Sequence, residues 1–221
     1  TCLLIRHATT DHVGRVLGGW TPGIHLSALG VRQAEALAGR LAALPLAAIY
    51  ASPLERAHET ATCIAAGRGI DVQTAPEAGE ARFGEWTGRS FAELAGDAEW
   101  QRWNTLRSMA RAPGGESMLE VQARVVALLE RLRMAHSGGC VAIVSHRDRR
   151  IATESDLRRD GARHCWIVDA DLQQADVNTT SAQVSEARER LKRLEAAQQR
   201  NEEIAVMEAQ AVRGPDLGRL R

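Results

Sequence analysis

Two short apolar runs that each end at a histidine constrain this sequence more than any other feature. Residues 2–6 (CLLIR) lead into His7, and residues 140–145 (CVAIVS) lead into His146. Short apolar runs bounded by polar positions predict buried β-strands. Ligands of open α/β sheets bind outside the carboxyl ends of the strands. We therefore expect the two histidines to converge at one edge of a sheet.

Helical segments separate the predicted strands. Ser27 is the predicted N-cap of a helix over residues 28–43, whose apolar positions recur at helical spacing. Those positions are Val31, Ala34, Leu37, Ala38 and Leu41. The other predicted elements are strands over residues 47–51 and 71–75 and helices over residues 54–67, 91–109 and 117–136. This alternation predicts an α/β fold, a three-layer sandwich in which helices flank a mostly parallel central sheet.

The sequence changes character after residue 150. Residues 151–171 form a charged connector without a clear period, within which residues 164–170 (HCWIVDA) are a candidate for one more strand. Residues 172–221 are polar, and their pattern predicts a long helix or coiled coil. Every seventh position carries an apolar side chain at Val177, Val184 and Leu191. We expect an α/β domain over residues 1–150, followed by the connector and the helical tail.

Composition and charge argue against several classes of function. The formal net charge is +0, so no overall positive field favours a nucleic acid or an acidic membrane. No apolar run approaches the roughly 18 residues of a membrane helix, and the start does not have the form of a signal peptide. The 4 cysteines show no CxxC pair and no zinc-ligand spacing. We expect a cytoplasmic protein with reduced thiols and no metal.

Two further segments place charged side chains near the same edge of the predicted sheet. SPLERAHET (52–60) follows a predicted strand, and Arg56 lies on the first turn of the next helix, where it points back toward the strand ends. GEARFGEWTG (79–88) is a predicted loop that offers the carboxylates of Glu80 and Glu85. We expect these groups to surround the two histidines.

Six segments occur in a fixed order along the chain. They are LIRHATT, LSALGVRQA, ASPLERAHETA, EARFGEWTG, PGGESMLEVQARV and VAIVSHRD. In this order and at these spacings, they resemble the histidine phosphatase superfamily, the phosphoglycerate-mutase-like proteins, over about residues 2–148. Each segment alone is a weak signal, whereas the ordered set is specific.

The resemblance implies a role for each residue of the cluster. His7 is the expected nucleophile, which forms a phosphohistidine. Arg6, Arg56 and His146 are expected to bind the non-bridging phosphate oxygens and to offset their charge. Glu80 is the expected general acid, which protonates the leaving alkoxide and then activates water. The resemblance implies no metal and no cofactor.

The loop that follows His7 is expected to wall the substrate pocket. Thr10 is expected to add a hydroxyl contact to phosphate. Arg15 is expected to bind the substrate or its phosphate from the same loop. The same loop carries His12, Trp20 and His25. Glu116 and Ser117 resemble a GES element of the family, and they also fit a simple helix start with Ser117 as N-cap.

The chain departs from the family pattern near its second histidine. Ala8 and Arg147 stand where the family usually has glycine, and the long side chain of Arg147 is expected to crowd the pocket or to add a phosphate contact. After Asp148, the last helix and strand of the family are not recognisable, so the C-terminal part of the family fold is expected to be missing. Residues 169–211 instead resemble the helical hairpin of periplasmic adaptor (membrane-fusion) proteins.

Three functions are compatible with these features. A phosphatase that acts on a small phosphorylated metabolite is favoured, because the loop between His7 and Leu26 is short and offers no long closing segment. A phosphoglycerate-type mutase is the first alternative. It is less favoured, because a mutase needs such a closing segment to keep water from the phosphoenzyme. An inactive pseudoenzyme or assembly subunit that uses its coiled-coil tail is the second. The tail permits a homodimer or a helical partner.

Overall fold

The structure is a computed structural model that describes residues 1–106 and 109–146 and the backbone of residues 165–169. The predicted coiled coil over residues 172–221, most of the connector and Arg147 lie outside the described residues. The predictions made for them, including a homodimer or helical partner and the resemblance to adaptor proteins, stay predictions.

A parallel β-sheet forms the centre of the molecule. Its strands are β1 (Cys2–Arg6), β2 (Leu46–Ala51), β3 (Val72–Thr74), β4 (Cys140–Ser145) and β5 (Cys165–Asp169). The spatial order is β3-β2-β4-β1-β5, and every neighbouring pair is parallel. The predicted α/β fold with a mostly parallel sheet is confirmed, and the candidate strand over residues 164–170 is present as β5, which pairs with β1.

Helices cover both faces of the sheet. They are α1 (Ala28–Leu41), α2 (Glu55–Ala65), α3 (Phe91–Leu94), α4 (Ala98–Thr105) and α5 (Met118–Ala135), and Pro76–Ala78 and Gly84–Trp86 form 3₁₀ turns. Side chains of β1 alternate between the faces, so that Leu3 and Ile5 join the core under α1 and α2, whereas Leu4 packs against the core under α5. The result is the predicted three-layer sandwich.

The helices predicted near residues 91–109 are present as α3 and α4. The boundary between them lies at Asp97, whose carboxylate accepts hydrogen bonds from the backbone N–H groups of Glu99 and Trp100 and starts α4 there. The short α3 has its own capping box, made by Ser90 and Glu93. Apolar periodicity continues across this boundary and therefore does not reveal it.

Helix α1 presses its N-terminus onto the loop that follows β1. Ser27 caps the helix as predicted, and its Oγ accepts a hydrogen bond from Gly30 N at 3.0 Å. The buried stripe begins at Gly30 rather than at Val31, which is 40% exposed, so the prediction for Val31 was wrong. A Cβ at Gly30 would lie 2.0 Å from the carbonyl oxygen of Thr9. Only glycine permits this contact between helix and loop.

The register of the sheet aligns the ends of the strands that carry the site. Arg6 lies opposite Ser145, so His7 and His146 follow level positions of neighbouring strands. His7 N donates to the carbonyl oxygen of Ser145, and Ser52 N donates to that of Val144, both at 2.9 Å. Three strands therefore deliver side chains to one edge. No helix among the described residues is long and apolar enough to cross a membrane.

Candidate active site

The two histidines meet at the carboxyl edge of the sheet, as the sequence predicts. The ring centroids of His7 and His146 lie 5.0 Å apart with an interplanar angle of 61°. The residues are only 6% and 8% exposed. Buried polar rings need defined partners, and these partners fix what each ring nitrogen can do.

His7 is held as a neutral imidazole with an available lone pair. Its Nδ1 lies 2.7 Å from the carbonyl oxygen of Ala8, and because a carbonyl only accepts, Nδ1 carries the proton. Nε2 therefore keeps the lone pair, toward which Arg56 Nε–H points at 3.3 Å. Burial, followed by the charges of Arg56 and Arg6, lowers the pKa of His7 to about 3. Nε2 is therefore unprotonated and nucleophilic at neutral pH.

Arg56 lies beside this nitrogen with donors that face the site. It occupies the first turn of α2, as predicted, and is 4% exposed. Its Nη2 donates to the carbonyl oxygen of Gly19 at 2.9 Å. Its Nη1 is buried and has no hydrogen-bond partner among the described residues. A buried guanidinium N–H without a hydrogen bond costs free energy. This group is therefore well suited to bind an incoming anion.

His146 is oriented by Ser52, which sequence analysis did not single out. Its Nε2 lies 2.8 Å from Ser52 Oγ, and that oxygen already accepts from Leu54 N at 3.3 Å. The Ser52 hydroxyl can donate to an unprotonated Nε2 or accept from a protonated one, so this contact fixes the orientation of the ring and not its tautomer. Burial, followed by the charge of nearby groups, lowers the pKa of His146 well below its usual value. Because Ser52 occupies Nε2, Nδ1 is the candidate donor of the neutral ring toward a ligand.

Glu80 faces that donor across the site. Its Oε2 lies 3.8 Å from His146 Nδ1, and its Oε1 accepts from Ala81 N at 2.9 Å. Its backbone carbonyl accepts from Trp20 Nε1 at 2.6 Å. Of the two carboxylates in this loop, Glu80 lines the cleft, whereas Glu85 is exposed and is not part of the lining.

Arg124 clamps the loop that carries Glu80. Its guanidinium donates to the carbonyl oxygens of Gly79 and Glu80, each at 2.9 Å, and pairs with Glu116 at 3.1 Å. Glu116 thus has a role in the site region, and Ser117 caps α5 with Glu120 as its capping-box partner. Both interpretations of the Glu116-Ser117 pair are therefore present in the structure.

The loop after β1 contributes some of its predicted residues to the site. Thr10 is buried and lines the cleft together with the exposed His12. Arg15 is exposed and is not among the lining residues, so the structure does not bring it to the cluster. His25 is also exposed and pairs with Glu59 on α2.

A methyl group replaces the usual glycine hydrogen after the first histidine without disturbing the site. Ala8 is fully buried, and its backbone N–H donates to Thr60 Oγ1 at 3.1 Å. Thr60 and Ser52 both lie in the segment SPLERAHET, of which sequence analysis selected only Arg56. Their hydroxyls could have been found as small polar side chains next to a strand end. Arg124 has no such signal, because α5 also carries Arg131 and Arg133.

A cleft of about 390 Å³ opens beside His7, whereas His146 is not among its lining residues. Arg6, His7, Thr10, Arg56 and Glu80 line its polar part. Aromatic side chains line the rest, namely Phe83, Phe91, Trp100 and Trp103. Among the described residues, no group of three or more His, Cys, Asp or Glu side chains could hold a metal ion. The polar part has the donors and the nucleophile that transfer of a tetrahedral anion requires.

Comparison with known proteins agrees with this fold. The sequence model of the histidine phosphatase superfamily (branch 1) matches residues 2–149. The chain is 37% identical over 147 residues to protein Rv0525 of Mycobacterium tuberculosis, a match that covers 65% of this chain and 71% of that protein. It is 34% identical over 148 residues to phosphoserine phosphatase 1 of Hydrogenobacter thermophilus, which covers 65% of this chain and 69% of that enzyme.

A solved structure shares the fold. The native structure of the mycobacterial glucosyl-3-phosphoglycerate phosphatase Rv2419c matches with a TM-score of 0.59 and 31% identity, and the match covers 65% of this chain and 72% of that one. All these matches leave about the last third of this chain uncovered, in agreement with the change of character after residue 150.

Proposed function

This chain belongs to the histidine phosphatase superfamily, and we propose that it is a metal-independent phosphatase that hydrolyses a small phosphomonoester through a phosphohistidine. The observation that carries the proposal is the state of His7. Its Nδ1–H is fixed on the Ala8 carbonyl, and its neutral Nε2 lies beside the buried donors of Arg56. A neutral imidazole nitrogen next to guanidinium groups is the arrangement that an in-line attack on phosphorus needs.

The first half of the reaction transfers the phosphoryl group to the protein. Nε2 of His7 attacks phosphorus while the bond to the ester oxygen breaks. Glu80, as the protonated acid, gives its proton to that oxygen, so the alcohol leaves neutral. The guanidinium groups of Arg6 and Arg56 and the N–H of His146 receive the three non-bridging oxygens and offset their charge. The Thr10 hydroxyl adds a further donor.

The second half returns the protein to its starting state. Glu80, now a carboxylate, takes a proton from a water molecule as that water attacks phosphorus. The bond between phosphorus and Nε2 breaks, and inorganic phosphate leaves. His7 recovers its neutral form, because Nδ1–H never leaves the Ala8 carbonyl. Arg124 keeps Glu80 in reach by holding the carbonyl oxygens on both sides of its backbone position.

Hydrolysis is favoured over the phosphoglycerate-type mutase. The relatives with a stated activity are named as phosphatases, and the loop between His7 and Leu26 is short. The inactive alternative is disfavoured by the buried Nη1 of Arg56, which has no hydrogen-bond partner among the described residues, and by the fixed tautomer of His7. Such costly arrangements are typical of sites that bind a ligand.

The test is release of phosphate from p-nitrophenyl phosphate by the full chain in the presence of a chelator. We expect activity that His7→Ala reduces at least about 10³-fold, since the nucleophile is lost. His58→Ala is the matched control, because this histidine lies on α2 outside the cleft lining, and it should retain wild-type activity. Stopped with base, the wild type should hold a phosphoryl group that acid releases. Activity that survives in His7→Ala, or that the chelator abolishes, would refute the proposal.

A further inference from the structure

We infer that the site takes phosphomonoesters whose alcohol carries a neutral, flat ring, and that Phe91 and Trp100 select this ring. The inference rests on the proposed function, whose substrate class it specifies. It starts from the size of the cleft, which at about 390 Å³ lies in the range of pockets that enclose a whole small ligand. A phosphoryl group occupies only the polar end, so the remaining surface contacts the alcohol.

The surface beyond the polar end is aromatic and comes from a separate part of the fold. Phe91 lies at the start of α3, and Trp100 and Trp103 lie on α4. These helices pack with the loop of Phe83 in a hydrophobic cluster distinct from those on the two faces of the sheet. The cleft therefore runs between the sheet edge, which supplies the phosphate donors, and four lining rings, which we term the aromatic wall (Phe83, Phe91, Trp100 and Trp103).

Two members of the aromatic wall keep accessible ring surface. Phe91 is 38% exposed, and Trp100 is partly buried, whereas Trp103 and Phe83 are buried core residues. The ring centroids of Trp100 and Trp103 lie 5.7 Å apart with an interplanar angle of 10°, and those of Phe91 and Trp100 lie 6.3 Å apart. These ring contacts hold Phe91 and Trp100 in place. A fixed aromatic surface binds another flat ring with little loss of side-chain entropy.

The charges of the cleft disfavour a second anionic group on the substrate. Among the lining residues that the structure describes, the guanidinium groups are those of Arg6 and Arg56, and both belong to the phosphate end. Arg15, the other arginine of this loop, is exposed outside the cleft lining. A carboxylate placed against the aromatic wall would lose its water without meeting a fixed cation among the described lining residues, which is costly. A neutral ring in the same place gains from burial.

The experiment compares kcat/KM of the full chain for three phosphate esters of alkyl alcohols: 2-phenylethyl phosphate, ethyl phosphate and 3-phosphoglycerate. The two uncharged alcohols are similar leaving groups, so their difference reports the ring. We expect 2-phenylethyl phosphate to exceed ethyl phosphate by about tenfold, mainly through KM, because burial of a phenyl ring is worth about that factor. Equal values for these two esters, or a preference for 3-phosphoglycerate, would overturn the inference.

Variants assign the preference to the aromatic wall. Phe91→Ala and Trp100→Leu should each lower the ratio of kcat/KM for the phenylethyl and ethyl esters by about threefold to tenfold. The ratio cancels any change in the folded fraction. Met134→Ala is the matched control, since Met134 is an exposed apolar residue outside the cleft lining, and it should leave the ratio unchanged. An unchanged ratio in both wall variants would contradict the assignment.

Binding separates this inference from the proposed function. His7→Ala should bind 2-phenylethyl phosphate more tightly than ethyl phosphate in calorimetry, whether or not the wild type hydrolyses either ester. Hydrolysis without a ring preference would overturn the inference and leave the phosphatase proposal intact. A ring preference in binding without hydrolysis would overturn the phosphatase proposal and leave the inference about the ring intact.

Discussion

The phosphate end of the cleft and the aromatic wall are built on different principles. At the phosphate end, backbone register and hydrogen bonds fix each side chain, and His7, Arg56 and His146 are almost fully buried. The aromatic wall depends on ring packing between two short helices, Phe91–Leu94 and Ala98–Thr105. If both proposals hold, the chemistry lies where strand geometry leaves little freedom, whereas selection of the alcohol lies where packing can vary.

The largest expected effect separates the two regions by activity. Arg56→Met removes the guanidinium beside Nε2 and should lower kcat by about 10³-fold, because such donors act on charge that develops during transfer. The free energy of unfolding should change little or rise, since a buried charge is replaced by an apolar side chain. Phosphate release and urea denaturation of the same preparation measure both quantities. A loss of activity no larger than the increase in the unfolded fraction would mean that Arg56 acts through stability, and the two regions would no longer differ in this respect.

The aromatic wall should respond in the opposite way. Trp103→Ala leaves a cavity among Trp86, Trp100 and Phe83, and it should lower the free energy of unfolding by about 3 kcal/mol. Denaturant titration checks this value, and Trp103→Phe should recover part of it. We expect kcat on ethyl phosphate, corrected for the folded fraction, to change far less than in Arg56→Met. A comparable loss of kcat would show that the two regions are coupled.

Acid should weaken the phosphate end through its buried histidine. The pKa of His7 is lowered to about 3 in the folded protein, against its ordinary value of 6.5. The unfolded chain therefore binds more protons between these values, so this contribution to stability is complete above pH 6.5 and is lost as the pH falls toward 3. Between pH 7 and pH 4.5, His7→Asn should lose about 2 kcal/mol less stability than the wild type. Equal losses of stability in the wild type and in His7→Asn between these two pH values would contradict the buried neutral state of His7.

The smallest expected effect tests the orientation of the second histidine. Ser52→Ala removes the hydroxyl that lies 2.8 Å from His146 Nε2, so the ring loses the contact that orients it. We expect kcat to fall about tenfold, the equivalent of one lost hydrogen bond at the site. In the proposed mechanism the ring proton of His146 is on Nδ1, so the Ser52 hydroxyl donates to Nε2 and stabilises the neutral ring. Its loss then raises the pKa of His146, and the acid limb of kcat/KM should move to higher pH. A stability change with an unmoved pH profile would indicate a purely structural role.

Local patterns predicted most of the elements that support the site. The strands at residues 2–6 and 140–145, the Ser27 cap and the position of Arg56 follow from short-range rules of burial, capping and spacing. The position of the break between α3 and α4 was not predicted, because Asp97 interrupts a pattern that still has apolar residues on both sides. The exposure of Arg15 was missed because a loop has no fixed period that directs its side chains.

The sequence by itself determined which residues end the strands, and with them the identity of His7, His146 and Arg6 as candidates. Only the tertiary structure decided their partners. Ser52 meets His146 across 94 positions, and Arg124 meets the Glu80 carbonyl across 44. The physical reason is that strand formation depends on neighbours in the chain, whereas a hydrogen bond to a buried ring depends on the register between strands and on helix packing. Those distances arise only when the whole sheet is assembled.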